Sequence, residues 1–141
     1  MIRKVKIADA QAIAHLSEVL GYLVSQAVVE RNIARVLENP QHEFLVFDNG
    51  QQVVGFIEAE TYEAVYSEEV MFNVLGLVVD ETMQGQGIGA QLLTALEEKA
   101  KERKIRAIRL NSGSQRQGAH LFYEHQGYES NHSQKRFLKF L

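Results

Sequence analysis

"VMFNVLGLVVDETMQGQGIGAQLLTALEEKA", residues 70–100, changes its periodicity once, and that change decides the fold. Val70–Val79 is almost continuously apolar, with Asn73 and Gly76 as exceptions. Such a run predicts a central strand covered on both faces. Gly76 inside it predicts a bulge or a close backbone approach. From Ile88 the spacing turns helical: Ile88, Leu92, Leu93, Leu96 and Ala100 form one stripe, with Gln91, Glu98, Lys101 and Glu102 opposite. Between strand and helix stands "QGQGIGA", Gln84–Ala90. The first amides of a helix have no internal partner, and the helix dipole adds roughly half a positive charge there. A strand, a glycine loop and a helix in that order can therefore hold an anion, phosphate above all. Gly85, Gly87 and Gly89 carry no Cβ to keep a phosphate from the backbone. The same glycines equally suit a turn shaped by backbone geometry alone. The loop lacks the Lys-Ser/Thr of a Walker A motif, and its G-x-G-x-G spacing is not that of a dinucleotide fingerprint.

Working outward, "VKI" at Val5–Ile7 predicts a first strand. Asp9 can cap a helix carrying Ile13, Leu16 and Leu20, stopped at Gly21. Ser25 can cap a second helix with Val29, Ile33, Val36 and Leu37 on one side, closed by Pro40. "HEFLVF" and "VVGFIEAE" flank "DNGQQ", a hairpin turn in which Asn-Gly tolerates positive φ. Downstream of the long helix, "IRAIRL" predicts a strand, Gly118–His125 a short helix and "KRFLKFL" a terminal strand. The late strand–helix–strand unit should be a parallel crossover. The expected architecture is one α/β domain over residues 1–141, with a crevice where two parallel strands diverge.

The chain has 141 residues, enough to bury roughly two thirds of its unfolded surface. Without cysteine it has no disulfide, thiolate nucleophile or cysteine zinc site. Its net charge of −3 and the lack of a basic stripe argue against a nucleic-acid partner. No apolar run approaches a membrane span, and the N-terminus lacks the apolar core of a signal peptide. A cytoplasmic protein with no membrane partner is expected. His15, His42, His120, His125 and His132 do not have metal-ligand spacing, so no metal is expected.

"LVVDETMQGQGIGAQLL", Leu77–Leu93, resembles motif A of the GNAT-type N-acetyltransferase superfamily through Leu77, Val79, Gln84, Gly87 and Gly89. Downstream, Asn111, Ala119, Phe122, Tyr123, Gly127 and Tyr128 resemble that family's motif B. The resemblance is specific over roughly residues 70–130. It implies a GNAT-like mixed sheet of six to seven strands with about four helices and a splayed parallel strand pair at the cofactor site. It also implies acetyl-CoA as cosubstrate. The backbone of Gln84, Gly85, Gln86, Gly87, Ile88, Gly89 and Ala90 would hold its pyrophosphate. Leu77 and Val79 would pair with the pantetheine arm through main-chain groups, and an amide near Leu77 would polarise the thioester carbonyl. Asn111 would bond the arm near the thiol, and Tyr123 would protonate the departing thiolate.

The family transfers acetyl directly to an amine, and an amine must lose a proton before attack. Many relatives keep a glutamate on the motif A strand for this, but Leu75 and Gly76 stand at those positions here. Glu58, Glu60 and Glu69 are the candidate bases, and Asn73 could order a water. Tyr22, between the first two helices, is the candidate acceptor contact, and Arg116 could reach an outer phosphate of CoA. Each also has a plain structural reading: Tyr123 as a packing aromatic, Asn111 as a strand-end turn residue, the glutamates as solvent-facing carboxylates. The expected activity is acetylation of a small-molecule primary amine in a ternary complex. A non-catalytic acyl-CoA-binding module and acetylation of a protein or peptide amine are the alternatives. Oligomeric state is open, a homodimer through edge strands being one option.

Overall fold

A computed structural model of the chain describes residues 1–112, 117–131 and 133–141. The chain forms two compact units, Met1–Leu110 and Asn111–Leu141. The first unit holds strands β1 (Ile2–Lys4), β2 (His42–Asp48), β3 (Val53–Tyr62), β4 (Met71–Val79) and β5 (Ala107–Leu110), with helices α1 (Ala10–Val19), α2 (Gln26–Leu37) and α3 (Ile88–Glu102). The second holds α4 (Gln117–His125). The five strands make one sheet in chain order, antiparallel except for the parallel pair β4–β5. No helix among the described residues is long and apolar enough to cross a membrane.

Local chemistry explains the ends of the elements. Gly21 adopts φ +97°, and the Tyr22 amide reaches back to the Ser17 carbonyl, which stops α1. The Ser25 hydroxyl accepts from the Val28 amide at 3.2 Å and starts α2. In the hairpin, the Asn49 side chain accepts from the Gln51 and Gln52 amides, and Gly50 takes φ +94°. The buried residues of α3 are the predicted stripe: Ile88, Leu92, Leu93, Leu96 and Ala100. Burying each large apolar side chain contributes roughly 2 kcal/mol. The ion pairs on its outer face, Lys99–Glu102 and Lys101–Glu98, contribute about 0.3–0.5 kcal/mol apiece. The stripe, not the charges, seats the helix.

The sheet buries both faces. Val5, Ala10, Ile13, Leu16, Val29 and Ile33 pack with Phe44, Val46, Phe56 and Val78 on one side. The helix α3 covers the other face of β2, β3 and β4. Gly55 marks the closest approach there. A Cβ on it would stand 3.0 Å from the Val78 carbonyl oxygen, 3.2 Å from Leu92 Cδ1 and 3.4 Å from Ile88 Cγ2. At the far end of α3, Arg103 donates to Glu43 at 3.0 Å and to Thr61 at 3.2 Å, and lies over the Phe72 ring.

One irregularity shapes the middle of the sheet. In the β3–β4 ladder Glu58 pairs with Gly76 and the next residue, Ala59, pairs with Val74, so Leu75 is an unpaired extra residue. The bulge exchanges the faces of β4. Val78 belongs to the α1–α2 core, whereas Phe72, at the same parity, lies under Arg103, which caps the end of α3. The parallel pairing with β5 covers only Met71–Val74 and ends before the bulge.

Several expectations need correction. Among the described residues the sheet has five strands rather than six to seven. Residues 135–141 form no strand, and Phe137, Leu138, Phe140 and Leu141 are exposed. Adjacent Phe137 and Leu138 put apolar groups on both faces, so the segment defines no core face to fix a register. The first strand is Ile2–Lys4 rather than Val5–Ile7, because the Asp9 carboxylate accepts the Lys6 amide at 2.8 Å and curls the chain into a 3-10 turn. Asp9 thus caps backward on this turn; it makes no side-chain cap to α1. The bulge falls on Leu75, one residue before the glycine that announced it.

Asp9 is 8 % exposed and paired with Arg3 through two hydrogen bonds of 2.9 Å. Burial pushes its carboxyl up, but the Arg3 guanidinium and the Lys6 amide outweigh that and hold it below its ordinary 3.8. A carboxyl depressed on folding stabilises above its ordinary value and loses that contribution as pH falls through the folded value. Asp9→Asn should cost about 3 kcal/mol near neutral pH and flatten the acid limb of the stability curve, read by urea unfolding across pH. Gly55→Ala should lower stability by about 1 to 3 kcal/mol in the same assay, because a backbone carbonyl faces the new methyl.

Candidate functional site

The glycine loop is built from β4 outward. Beyond Val79, Asp80 Oδ1 accepts from the Thr82 amide at 3.0 Å and the Thr82 hydroxyl at 2.7 Å, fixing a 3-10 turn over Glu81–Met83. The Thr82 hydroxyl, then its amide, hold the Asp80 carboxyl below its ordinary range, and His15 Nε2 lies 3.2 Å from its other oxygen. Gln84 Nε2 donates to the Val79 carbonyl at 3.1 Å and ties the loop to the strand end. Gly85 and Gly87 then take φ +83° and +81°, a region where side chains with a Cβ are strained. Gly87 is the N-cap of α3 and no side chain caps the helix, so the first-turn amides from Ile88 have no side-chain acceptor at the cap. A Cβ on Gly85 or Gly87 would meet no atom within 4 Å. The left-handed backbone, rather than crowding within the chain, asks for glycine there. Gly89 and Ala90 follow in the first turn of α3.

Beside the loop runs the open edge of β4. Gly76–Val79, with Leu77 and Val79 among them, pairs only with β3 among the described residues, because the β5 ladder stops at Val74–Leu110. The edge therefore offers main-chain donors and acceptors to an extended ligand.

A cavity of about 340 Å³ opens on the α1–α2 side of the sheet. Its wall runs from Ser17 and Tyr22, through Asn32 on α2, to Phe56 and Glu58 on β3 and to Leu75 and Gly76 at the bulge. The bulge thus joins cavity and open edge: Leu75 and Gly76 line the first and begin the second. Glu58 Oε2 lies 2.7 Å from His42 Nε2, with the histidine side chain 12 % and the glutamate 26 % exposed. With a neutral imidazole protonated at Nε2, this contact holds one carboxylate oxygen and leaves the other available.

Two predicted residues therefore meet in one cavity, Tyr22 and Glu58. Asn73 does not line it; its Nδ2 donates to Glu60 Oε1 at 3.3 Å, and its buried Oδ1 has no partner among the described residues. Glu69 lies 3.7 Å from Arg106 on the surface. Asn111 and Tyr123 belong to the second unit. There Tyr123 sits in α4, edge-on to Phe122 at 5.2 Å and to Tyr128 at 6.1 Å, and its carbonyl accepts the Tyr128 amide at 3.0 Å. Arg116 and His132 lie outside the described residues. Sequence reading missed His42 as a partner of Glu58. The hairpin centred on Asn49-Gly50 contains the signal, since its ladder pairs Phe44 with Glu58 and puts His42 on the same face.

The sequence model of the acetyltransferase (GNAT) family matches residues 10–128. An aminoalkylphosphonate N-acetyltransferase of Salmonella typhimurium (strain LT2) is 34% identical over 116 residues, covering 82% of this chain and 73% of that protein. Two solved structures share the fold. A transcriptional regulator from Bacillus halodurans C-125 superposes with a TM-score of 0.85 at 24% identity, over 99% of each chain. A putative acetyltransferase from Agrobacterium tumefaciens str. C58 does so with 0.87 at 17% identity, again over 99% of each. With a family match across most of its length and a curated acetyltransferase as a relative, the chain belongs to the GNAT acetyltransferase family and is an acyltransferase.

Proposed function

We propose that this protein transfers acetyl from acetyl-CoA to the primary amine of a small molecule, by direct attack within a ternary complex. The observation that carries the proposal is the bulge at Leu75, which brings an open strand edge and a glutamate-bearing cavity to one point. The edge and the left-handed glycine loop fit an elongated ligand ending in phosphates: peptide-like hydrogen bonding along Leu77 and Val79, then unsatisfied amides at Gly87–Ala90. Acetyl-CoA supplies an activated acyl carbon on a thioester. The relative's named substrate is an amine-bearing small molecule, which supports the acceptor class.

In this reading Glu58 is the base. An alkylammonium has a pKa of about 10 and must lose a proton to attack. The proton passes to the Glu58 carboxylate, and His42 keeps that group in place. The amine nitrogen then bonds to the acyl carbon as the carbon–sulfur bond breaks. A main-chain amide near Leu77 steadies the developing oxyanion. The nitrogen gives up its second proton to solvent, Tyr123 donates a proton to the leaving thiolate and regains one from solvent, and Asn111 bonds the arm near the sulfur.

Thiol release from acetyl-CoA against a panel of amines tests the reaction. Glu58→Gln should lower kcat/KM by about 10²-fold, with activity recovering as pH rises and the amine deprotonates unaided. Tyr123→Phe should lower kcat by about 10²-fold while leaving the KM for acetyl-CoA within about threefold. Gly87→Ala should raise that KM by about tenfold, because the left-handed cap is strained for alanine. Absence of both CoA binding and thiol release would overturn the assignment.

A further inference from the structure

The cavity that meets the bulge has an unequal chemistry, and that inequality speaks to the acceptor. Among the described residues, its wall carries one charged group, Glu58. The rest is apolar apart from Ser17, Tyr22 and Asn32, which are neutral. Ser17 donates its hydroxyl to the Ile13 carbonyl at 2.7 Å, and the Asn32 side-chain oxygen accepts from Arg35. Arg35 is itself no part of the wall. Arg109, on β5, is stacked 4.4 Å over the Tyr62 ring. Tyr62 stands four residues along β3 from Glu58, roughly 13 Å at strand rise. Neither arginine lines the cavity.

We infer that the acceptor is an amine carried on an uncharged, largely apolar body, with its ammonium at Glu58, and that this cavity rejects amines bearing a phosphonate or other anion. The inference rests on the acetyl-transfer reading of the same site and narrows it. Three points lead to it. An ammonium finds a paired, partly desolvated carboxylate at Glu58, where the attraction is stronger than in water. Phe56 and its apolar neighbours reward burial of a hydrocarbon body, and 340 Å³ suits a molecule of modest size. An anionic tail would lose its hydration against a wall whose described residues include no cation, facing a glutamate instead, a penalty that nothing in that wall repays. Within small primary amines, the acceptor's body therefore differs from that of the aminoalkylphosphonates that the Salmonella relative's name specifies.

The experiment is calorimetry on the full chain in the presence of CoA, with phenethylamine and aminoethylphosphonate as probes, followed by thiol release from acetyl-CoA with the same two amines. Phenethylamine should bind at least tenfold more tightly than aminoethylphosphonate, and Glu58→Gln should weaken it at least tenfold. Leu75→Arg, at an exposed position of the wall, should narrow the gap between the probes by placing a cation there. Equal or tighter binding of aminoethylphosphonate to the unaltered protein, or binding of neither probe, would overturn the inference. Phenethylamine that binds but releases no thiol would sink the catalytic reading while leaving the acceptor class intact.

Discussion

The extra residue at Leu75 is the constraint on which the rest of the site depends. A regular β4 would keep Gly76 and Val78 on the face of Phe72, and the apolar pattern of Val70–Val79 would place its large side chains in one layer. With Leu75 inserted, Phe72 serves the α3 side and Val78 the α1–α2 side. One strand thereby supports two cores. The β5 ladder also ends at Val74, so among the described residues a polar edge remains open in the middle of an otherwise well-buried sheet. Open edges are generally a liability that proteins shorten, bulge or cover. Here the edge runs directly into a glycine loop whose shape is fixed by two left-handed residues and a Gln84 side chain bonded to the strand end.

The energetic supports lie away from this junction. Apolar burial along α3 dominates its seating, and Arg103 fastens its far end to β2 and β3. The Arg3–Asp9 pair holds the chain where it leaves β1 for α1. The cavity shares Ile13, Val29, Ile33, Phe44 and Phe56 with the α1–α2 core, so that core holds its apolar wall in place. Glu58 can keep a carboxylate oxygen available because the opposing α1–α2 core is completed by Phe44, Val46, Phe56 and Val78 without it.

Much of this was legible in the sequence wherever the information is local. The stripe Ile88–Ala100 reports its own buried face, because helical periodicity needs no partner to be read. Ser25, Gly21 and Asn49-Gly50 announce their ends through side-chain and φ chemistry confined to a few residues. Register is different, since it depends on a strand elsewhere. Gly76 signalled the bulge, yet the unpaired residue is Leu75, which only the pairing of Glu58 and Ala59 decides. For the same reason His42 escaped notice, as its relation to Glu58 exists only across the hairpin. The terminal "KRFLKFL" failed as a strand because β propensity without a neighbouring edge specifies no ladder. Family resemblance supplied the roles of Asn111 and Tyr123, which geometry within either unit leaves as proposals.

The close approach at Gly55 has a consequence for timing. Leu92 and Ile88, in the first turns of α3, sit within reach of a Cβ that Gly55 does not have, so the start of the helix is drawn down onto the sheet. The amides beside Gly87 are then oriented before any ligand arrives, and the entropy of ordering them is lost during folding rather than at the moment of binding. In the proposed reading, in which these amides hold the phosphates of CoA, such a preformed cradle would lengthen residence more than it would speed encounter. Departure of the spent carrier from that loop would then depend in part on a glycine of the neighbouring strand.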